Sequence, residues 1–294
     1  MGLNVQKPNQ PKLWLLASLI GLNINLFSDQ QAKAFVPYVF NPNSKDLNIT
    51  SISFGKTAAQ LLHFGQTKEA SRVAKLAVRL NPNDDRLWSI LAETQARNRL
   101  FKKASQSLAK AKRINPKNAN LWFAEGSLQL QQKNPKGAIL YLREGLALDP
   151  NNATAYFQLG NARIMESKLK LALHAFKKAE KIKPKFWEAI NNQGLVLFEM
   201  GKKKEAIKTW RNVLAIKENP EPMLALAAAL NQIHKTSQES LTLAKTALAQ
   251  NPNYVSRKHQ ADQLWGKRLQ QATKELFKHP ELSYDVERAL ENSN

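Results

Sequence analysis

Four prolines stand 34 residues apart, Pro82, Pro116, Pro150 and Pro184, and each closes a similar phrase: Leu80-Asn81-Pro82, Ile114-Asn115-Pro116, Leu148-Asp149-Pro150 and Ile182-Lys183-Pro184. A period of this length belongs to a stacked repeat array, whose single unit cannot bury its apolar face alone and does so against its neighbours. Counting back from each proline gives six units, at 51–84, 85–118, 119–152, 153–186, 187–220 and 221–254. Within each, two stretches of helical apolar period flank a short polar turn such as Gly65-Gln66-Thr67, Ser167-Lys168, Gly201-Lys202 or Lys235-Thr236. The expected unit is therefore a helical hairpin.

The details of the period fit that unit. The closing proline lacks an amide donor and clashes with the preceding turn, so it ends the second helix. Asp84, Asn118 and Asn152 follow it and are suited to cap the next helix. Small residues recur early in each first helix (Ala58, Ala92, Gly126, Gly160, Gly194, Ala228) and each second helix (Ala70, Ala104, Ala138, Ala172, Ala206, Ser240). Four residues before the first set stand larger ones, Phe54, Trp88, Trp122, Tyr156, Ile190 and Leu224. Small residues let two backbones approach, and bulky ones fill the space beside them.

Tyr156, Leu159, Gly160, Ala172, Phe176, Ala179 and Pro184 in the fourth unit, and Trp88, Leu91, Ala92, Ala104, Leu108, Ala111 and Pro116 in the second, resemble the tetratricopeptide repeat. The resemblance covers residues 51–254. It implies an all-α, right-handed superhelical solenoid of about six hairpins. Departures are Thr57 and Glu125 at the leucine position, Gly145 at the second-helix alanine, and Pro220, two places late, which predicts a distorted junction to the alanine-rich sixth unit. Residues 255–278 have Ala261, Leu264, Trp265, Leu269, Ala272 and Leu276 on one helical face and are expected to form a capping helix, with 279–294 as a tail.

At the other end, Lys7 and Lys12 precede an apolar run from Leu13 to Leu22, and Ala32-Lys33-Ala34 offers small residues for cleavage before Phe35. This ordering is that of a signal peptide over 1–34; an uncleaved interfacial helix is the other reading. Residues 35–50, rich in Pro and Asn, are expected to be an extended lead-in. The leader, the wording of the repeats and Gln263-Leu264-Trp265-Gly266 also resemble exported tetratricopeptide-repeat proteins of cyanobacteria, which implies a periplasmic or thylakoid-lumen location. Cysteine is absent, which removes disulfides and thiol chemistry but does not set the compartment.

In such arrays positions 2, 5, 9 and 12 of each first helix form one stripe lining a concave groove. Here the resemblance places Phe123, Ser127, Leu130, Phe157, Asn161, Ile164, Asn191, Leu195 and Phe198 in it, together with Ser89 and Glu93. Rings mixed with amides suit a protein or peptide segment; alternatively, Phe123 and Phe157 pack against the adjacent first helix. A carboxylate clamp of the kind some members of the family carry is not expected, because Pro222 and Leu226 replace its later cations. The five histidines form no metal-spaced pair, and there is no phosphate loop or nucleophile elbow, so neither an enzyme, a metal, a cofactor nor a small-molecule substrate is expected.

Net charge is +21, and residues 51–254 hold 33 Lys and Arg against 15 Asp and Glu. Runs such as Lys102, Lys103, Lys110, Lys112, Arg113 and Lys168, Lys170, Lys177, Lys178, Lys181 fall on turns and second helices. They read either as a solvated face or as an attraction for an anionic membrane or acidic partner. Nucleic-acid binding is the competing function, although the varied, partly apolar stripe lacks the regular polar pairs of base-reading repeats.

Overall fold

A computed structural model of the chain describes residues 43–233 and 237–293. The expected leader, residues 35–42 of the lead-in and the Lys235-Thr236 turn lie outside the described residues. Six hairpins follow one another: α1 (Ser44–His63) with α2 (Thr67–Leu80), α3 (Asp85–Arg97) with α4 (Phe101–Ile114), α5 (Ala119–Gln131) with α6 (Pro135–Leu148), α7 (Ala153–Met165) with α8 (Leu169–Ile182), α9 (Trp187–Glu199) with α10 (Lys203–Ile216), and α11 (Pro220–Asn231) with α12 (Gln238–Gln250). The fold is an all-α solenoid.

Local chemistry sets both ends of each hairpin. Asp84, Asn118 and Asn152 accept from the backbone N–H of Arg86, Asn120 and Ala155 and so cap α3, α5 and α7. Such a cap contributes about 1 kcal/mol. At the other end of the first helices, Gly65, Arg99, Lys133, Ser167 and Gly201 all take the left-handed conformation, again 34 residues apart. The amide after each bonds a carbonyl five residues back: Gln66 to Leu61, Leu100 to Gln95, Asn134 to Gln129, Lys168 to Arg163, and Lys202 to Leu197. This closure satisfies carbonyls the helix end would leave bare, and it holds three non-glycine residues in a region that costs roughly 1–2 kcal/mol.

Packing explains the small and large positions. In unit four the ring of Phe176 lies where a side chain on Gly160 would be, and in unit five Trp210 does the same to Gly194. The bulky residues of the first helices have a further role. The indole N–H of Trp88 donates to the carbonyl of Pro82 at 2.8 Å, and that of Trp122 to Pro116 at 3.1 Å, so the periodic prolines also serve as acceptors. Glu125, in the place of a leucine, is buried and accepts from Ser105 (2.7 Å) and Lys112 (3.3 Å). The Lys112 ammonium in turn lies over the rings of Trp122 and Tyr141.

Three expectations are corrected. Residues 44–50, assigned to an extended lead-in, are the first turns of α1, because Asn43 accepts from the Asp46 amide and starts the helix early. The junction at Pro220 is not distorted: α11 begins at that proline with Asn219 as its cap, and the linker 217–219 is one residue shorter than the others. Residues 255–278 do not form one capping helix. A 3-10 turn (Pro252–Val255) leads to α13 (Arg257–Asp262), the chain reverses at Leu264 (φ 64°) and Gly266, and α14 (Lys267–Leu276) runs back onto α9 and α11. The end of the array is covered instead by the expected tail, where α15 (Ser283–Asn292) packs on α12 and on the 252–255 turn, with Leu282 and Ala289 buried. The reason is the amide closure again: the Trp265 N–H bonds the Gln260 carbonyl, ending α13 after six residues as the hairpin turns end a full first helix.

Candidate partner-binding groove

First helices of adjacent units touch, α1 with α3, α5 with α7 and α9 with α11, whereas the second helices make no comparable contact with each other among the described residues. The first helices therefore form the inner, concave layer. Its two ends differ.

Over units five and six the concave layer is occupied by the chain itself. α14 lies on α9 and α11, and the 3% exposed Trp265 just before it stacks on Tyr254 at 5.6 Å. The Trp265 indole donates to the Glu221 carboxylate at 3.1 Å. Burial pushes the Glu221 carboxyl above its usual value against the opposing pull of Trp265, Asn191 and Tyr254, and it raises the Tyr254 hydroxyl as well. Glu199, at the end of α9, accepts from the backbone N–H of Arg268 (3.2 Å) and Leu269 (2.9 Å), capping α14 with a carboxylate where helix dipole and bare amides favour one. A side chain on Gly266 would collide with Glu199, so the close approach requires glycine.

Several residues expected to line an open groove are consequently interior. Asn191 and Leu195 are 1% exposed and Phe198 is 2% exposed, with α14 above them. Phe198 packs on Trp210 at 6.0 Å between ring centroids. Phe123 is buried because its ring fills the space beside Gly145. Phe157 is half-buried between Phe176 (5.9 Å) and Phe186 (5.2 Å). Both rings thus serve packing, but against the second helix of their own unit and, for Phe157, the linker residue Phe186, rather than against the adjacent first helix. Leu130 and Ile164 are half-buried against the cores of units three and four. The amides join helices to one another: Asn192 donates to Asn161 at 2.9 Å, Asn191 to Asn192 at 3.2 Å, and Gln158 to Ser127 at 2.7 Å.

An open stretch lies between units two and three; a second opening, of about 410 Å³, lies between units four and five and is lined by Ile164, Leu195, Val196, Glu199 and Gly266. A cleft of about 460 Å³ separates α3 from α5, floored by Ala92, Ala96, Ala124 and Leu128 and reaching Ala104 and Leu108 of α4. Ser89, Glu93, Arg97, Ser127 and Gln131 form its rim, and Glu93 and Arg97 pair at 3.5 Å. Small residues create it. Ala96 occupies position 12 of its unit, where the next units have Leu130 and Ile164; Ala124 occupies position 6, where the next have Gln158 and Asn192. Ser89, Glu93 and Ser127 were legible as groove residues, and Ala96 stands at stripe position 12; Ala124, at position 6, lies off the stripe, and the break in the size pattern is the signal that marks it. Among the described residues no group of three or more His, Asp or Glu could hold a metal ion.

A tetratricopeptide-repeat family model matches residues 97–153 and 123–185. Residues 97–185 are tetratricopeptide repeats. The same hairpin extends the repeat array in both directions, to Ser44 and to Gln250. No curated protein matches the sequence. Solved tetratricopeptide-repeat structures share the fold. PilF of Pseudomonas aeruginosa aligns with a TM-score of 0.63 at 17% identity, over 74% of this chain and 98% of its own. PilW, described as a widely conserved type IV pilus biogenesis factor, gives 0.60 at 18%, over 75% and 97%. MamA of Desulfovibrio magneticus RS-1 gives 0.52 at 22%, over 57% and 94%.

Proposed function

We propose that this repeat array is a non-enzymatic scaffold that holds a protein or peptide segment along the open concave face of units two to four. The observation that carries this reading is the α3–α5 recess. Its apolar floor and polar rim fit one bulky apolar side chain of a partner, with Glu93, Arg97 and Gln131 placed to meet the flanking backbone. The filled end supports the same mode of binding: the first helices of units five and six already receive a helix with a tryptophan before it, so this layer is shaped to take a chain segment. A role in assembling a membrane protein complex is consistent with this and with the biogenesis factor that shares its fold.

Ala96→Leu places at position 12 of unit two a side chain as large as Leu130 and Ile164 in the next units, and it fills part of the recess floor. Recovery of the crosslinked partner from the native compartment is expected to fall at least about tenfold, the weight of losing one buried anchor, while helicity and melting stay unchanged. Recovery equal to that of the parent protein would remove the partner from this recess.

The reading includes action outside the cytoplasm, supported by the charge, apolar run and small residues of 1–34. N-terminal sequencing of the native protein is expected to begin at Phe35; a chain beginning at Met1 contradicts cleavage.

A further inference from the structure

Charge is divided sharply between the two layers of the array. The six first helices contain 5 Lys and Arg and 7 Asp and Glu. The six second helices contain 20 and 5. The cations of the second helices are also in register. Position 18 is Lys68, Lys102, Lys136, Lys170 and Lys204, one lysine in each of five consecutive units. Position 25 adds Lys75, Arg143, Lys177 and Arg211, and position 29 adds Arg79, Arg113 and Lys181. All twelve are exposed.

Positions 18, 25 and 29 lie seven and four residues apart, so they fall on one stripe of each helix, about 10 Å and 6 Å along its axis. Successive second helices repeat this stripe, so the outer layer presents cations in two directions. They are spaced about 10 Å and 6 Å along each helix and more widely from one helix to the next, since among the described residues second helices do not pack on each other. Among the described residues only Arg211 of the twelve has an ion pair, with Glu239.

We infer that this outer face docks on an anionic lipid bilayer. A lattice extended in two directions complements a charged surface, whereas a nucleic-acid backbone offers phosphates along a track. Eight of the twelve are lysines, flexible point charges suited to headgroups rather than to the fixed forks that read bases. Leu76, Leu140 and Leu171, exposed by 46%, 58% and 51%, stand among them on the same helices and can enter the headgroup boundary. No Phe, Tyr or Trp ring is exposed on these helices to stack a base. A convex face meets a plane over a few units at a time, and lysine reach together with a Debye length of about 8 Å brings neighbouring rows into play. Docking on this face leaves the concave recess directed away from the bilayer.

The test is cosedimentation of the full chain with vesicles of phosphatidylcholine alone and of phosphatidylcholine mixed with phosphatidylglycerol. One variant replaces Lys68, Lys102, Lys136, Lys170 and Lys204 with Gln; a control replaces Lys133, Lys185, Lys217, Lys258 and Lys267, five exposed lysines outside the rows. Any contribution of the apolar leader is common to all three proteins and to both vesicles. Expected is binding to the mixed vesicles that rises as salt is lowered, and a loss of about tenfold or more in the row variant against less than about threefold in the control. Equal losses in row and control variants would reduce the effect to net charge and overturn the assignment. So would unchanged binding by the row variant, or tighter retention on single- or double-stranded nucleic acid than on the mixed vesicles at equal charge.

Discussion

Trp265→Ala is expected to lower the stability of the C-terminal third of the array by about 3–5 kcal/mol, the usual cost of emptying a buried tryptophan site. The side chain does more than fill volume. Its N–H donates to the Glu221 carboxylate, so its removal leaves that half-buried group less satisfied, and its ring packs on Tyr254. It also follows directly on Leu264, whose left-handed conformation is strained for a bulky residue and is held by what packs around it. Each repeat contacts mainly its neighbours, so the loss should be local. Hydrogen exchange is the measurement that separates local from global effects. Protection is expected to collapse in α14 and fall in α9 and α11, while α3 to α6 keep theirs. Unchanged protection in α14 contradicts its attachment through Trp265.

The second large effect lies in the Gly194–Trp210 pair. Trp210 is fully buried, and its indole occupies the place a side chain on Gly194 would need. Trp210→Ala is expected to cost about 3–5 kcal/mol, and Gly194→Ala about 1–3 kcal/mol through overpacking. In the Trp210→Ala background the sign of the second change should reverse. The added methyl then enters a vacated space, and alanine gains about 1 kcal/mol over glycine within a helix. Denaturant unfolding of the two single variants and the double variant measures this coupling. Strictly additive losses would mean that the two residues do not share the space.

The contrast between what the sequence revealed and what it concealed follows from how local each signal is. The period, the hairpins and the Asp84, Asn118 and Asn152 caps depend on residues within one unit, and all were legible. The direction of Phe123 and Phe198 was not, because it depends on Gly145 and Trp210, residues of the second helix that leave or fill the space beside them. The return of α14 into the concave layer was harder still. Nothing in 255–278 distinguishes a helix that seals an end from one that folds back, since both need an apolar face. The signal lay in the receiving helices. α11 is apolar on every side, from Met223 to Leu230, and α9 is buried without interruption from Ala189 to Phe198. A helix lining an open groove keeps a polar face; one apolar all round is enclosed. The alanine-rich first helix of the sixth unit is a helix covered on all sides.

This leaves the recess between units two and three as the proposed partner site, and a photoreactive residue tests that placement most directly. The side chain is introduced at Gln131, on the rim of the recess, and separately at Lys177, on the outer face, and the native host is irradiated. The account predicts a discrete protein adduct from Gln131 that disappears when Ala96→Leu is added, and no such adduct from Lys177. A protein adduct from Lys177 alone, or one from Gln131 that persists after the recess is filled, would contradict it.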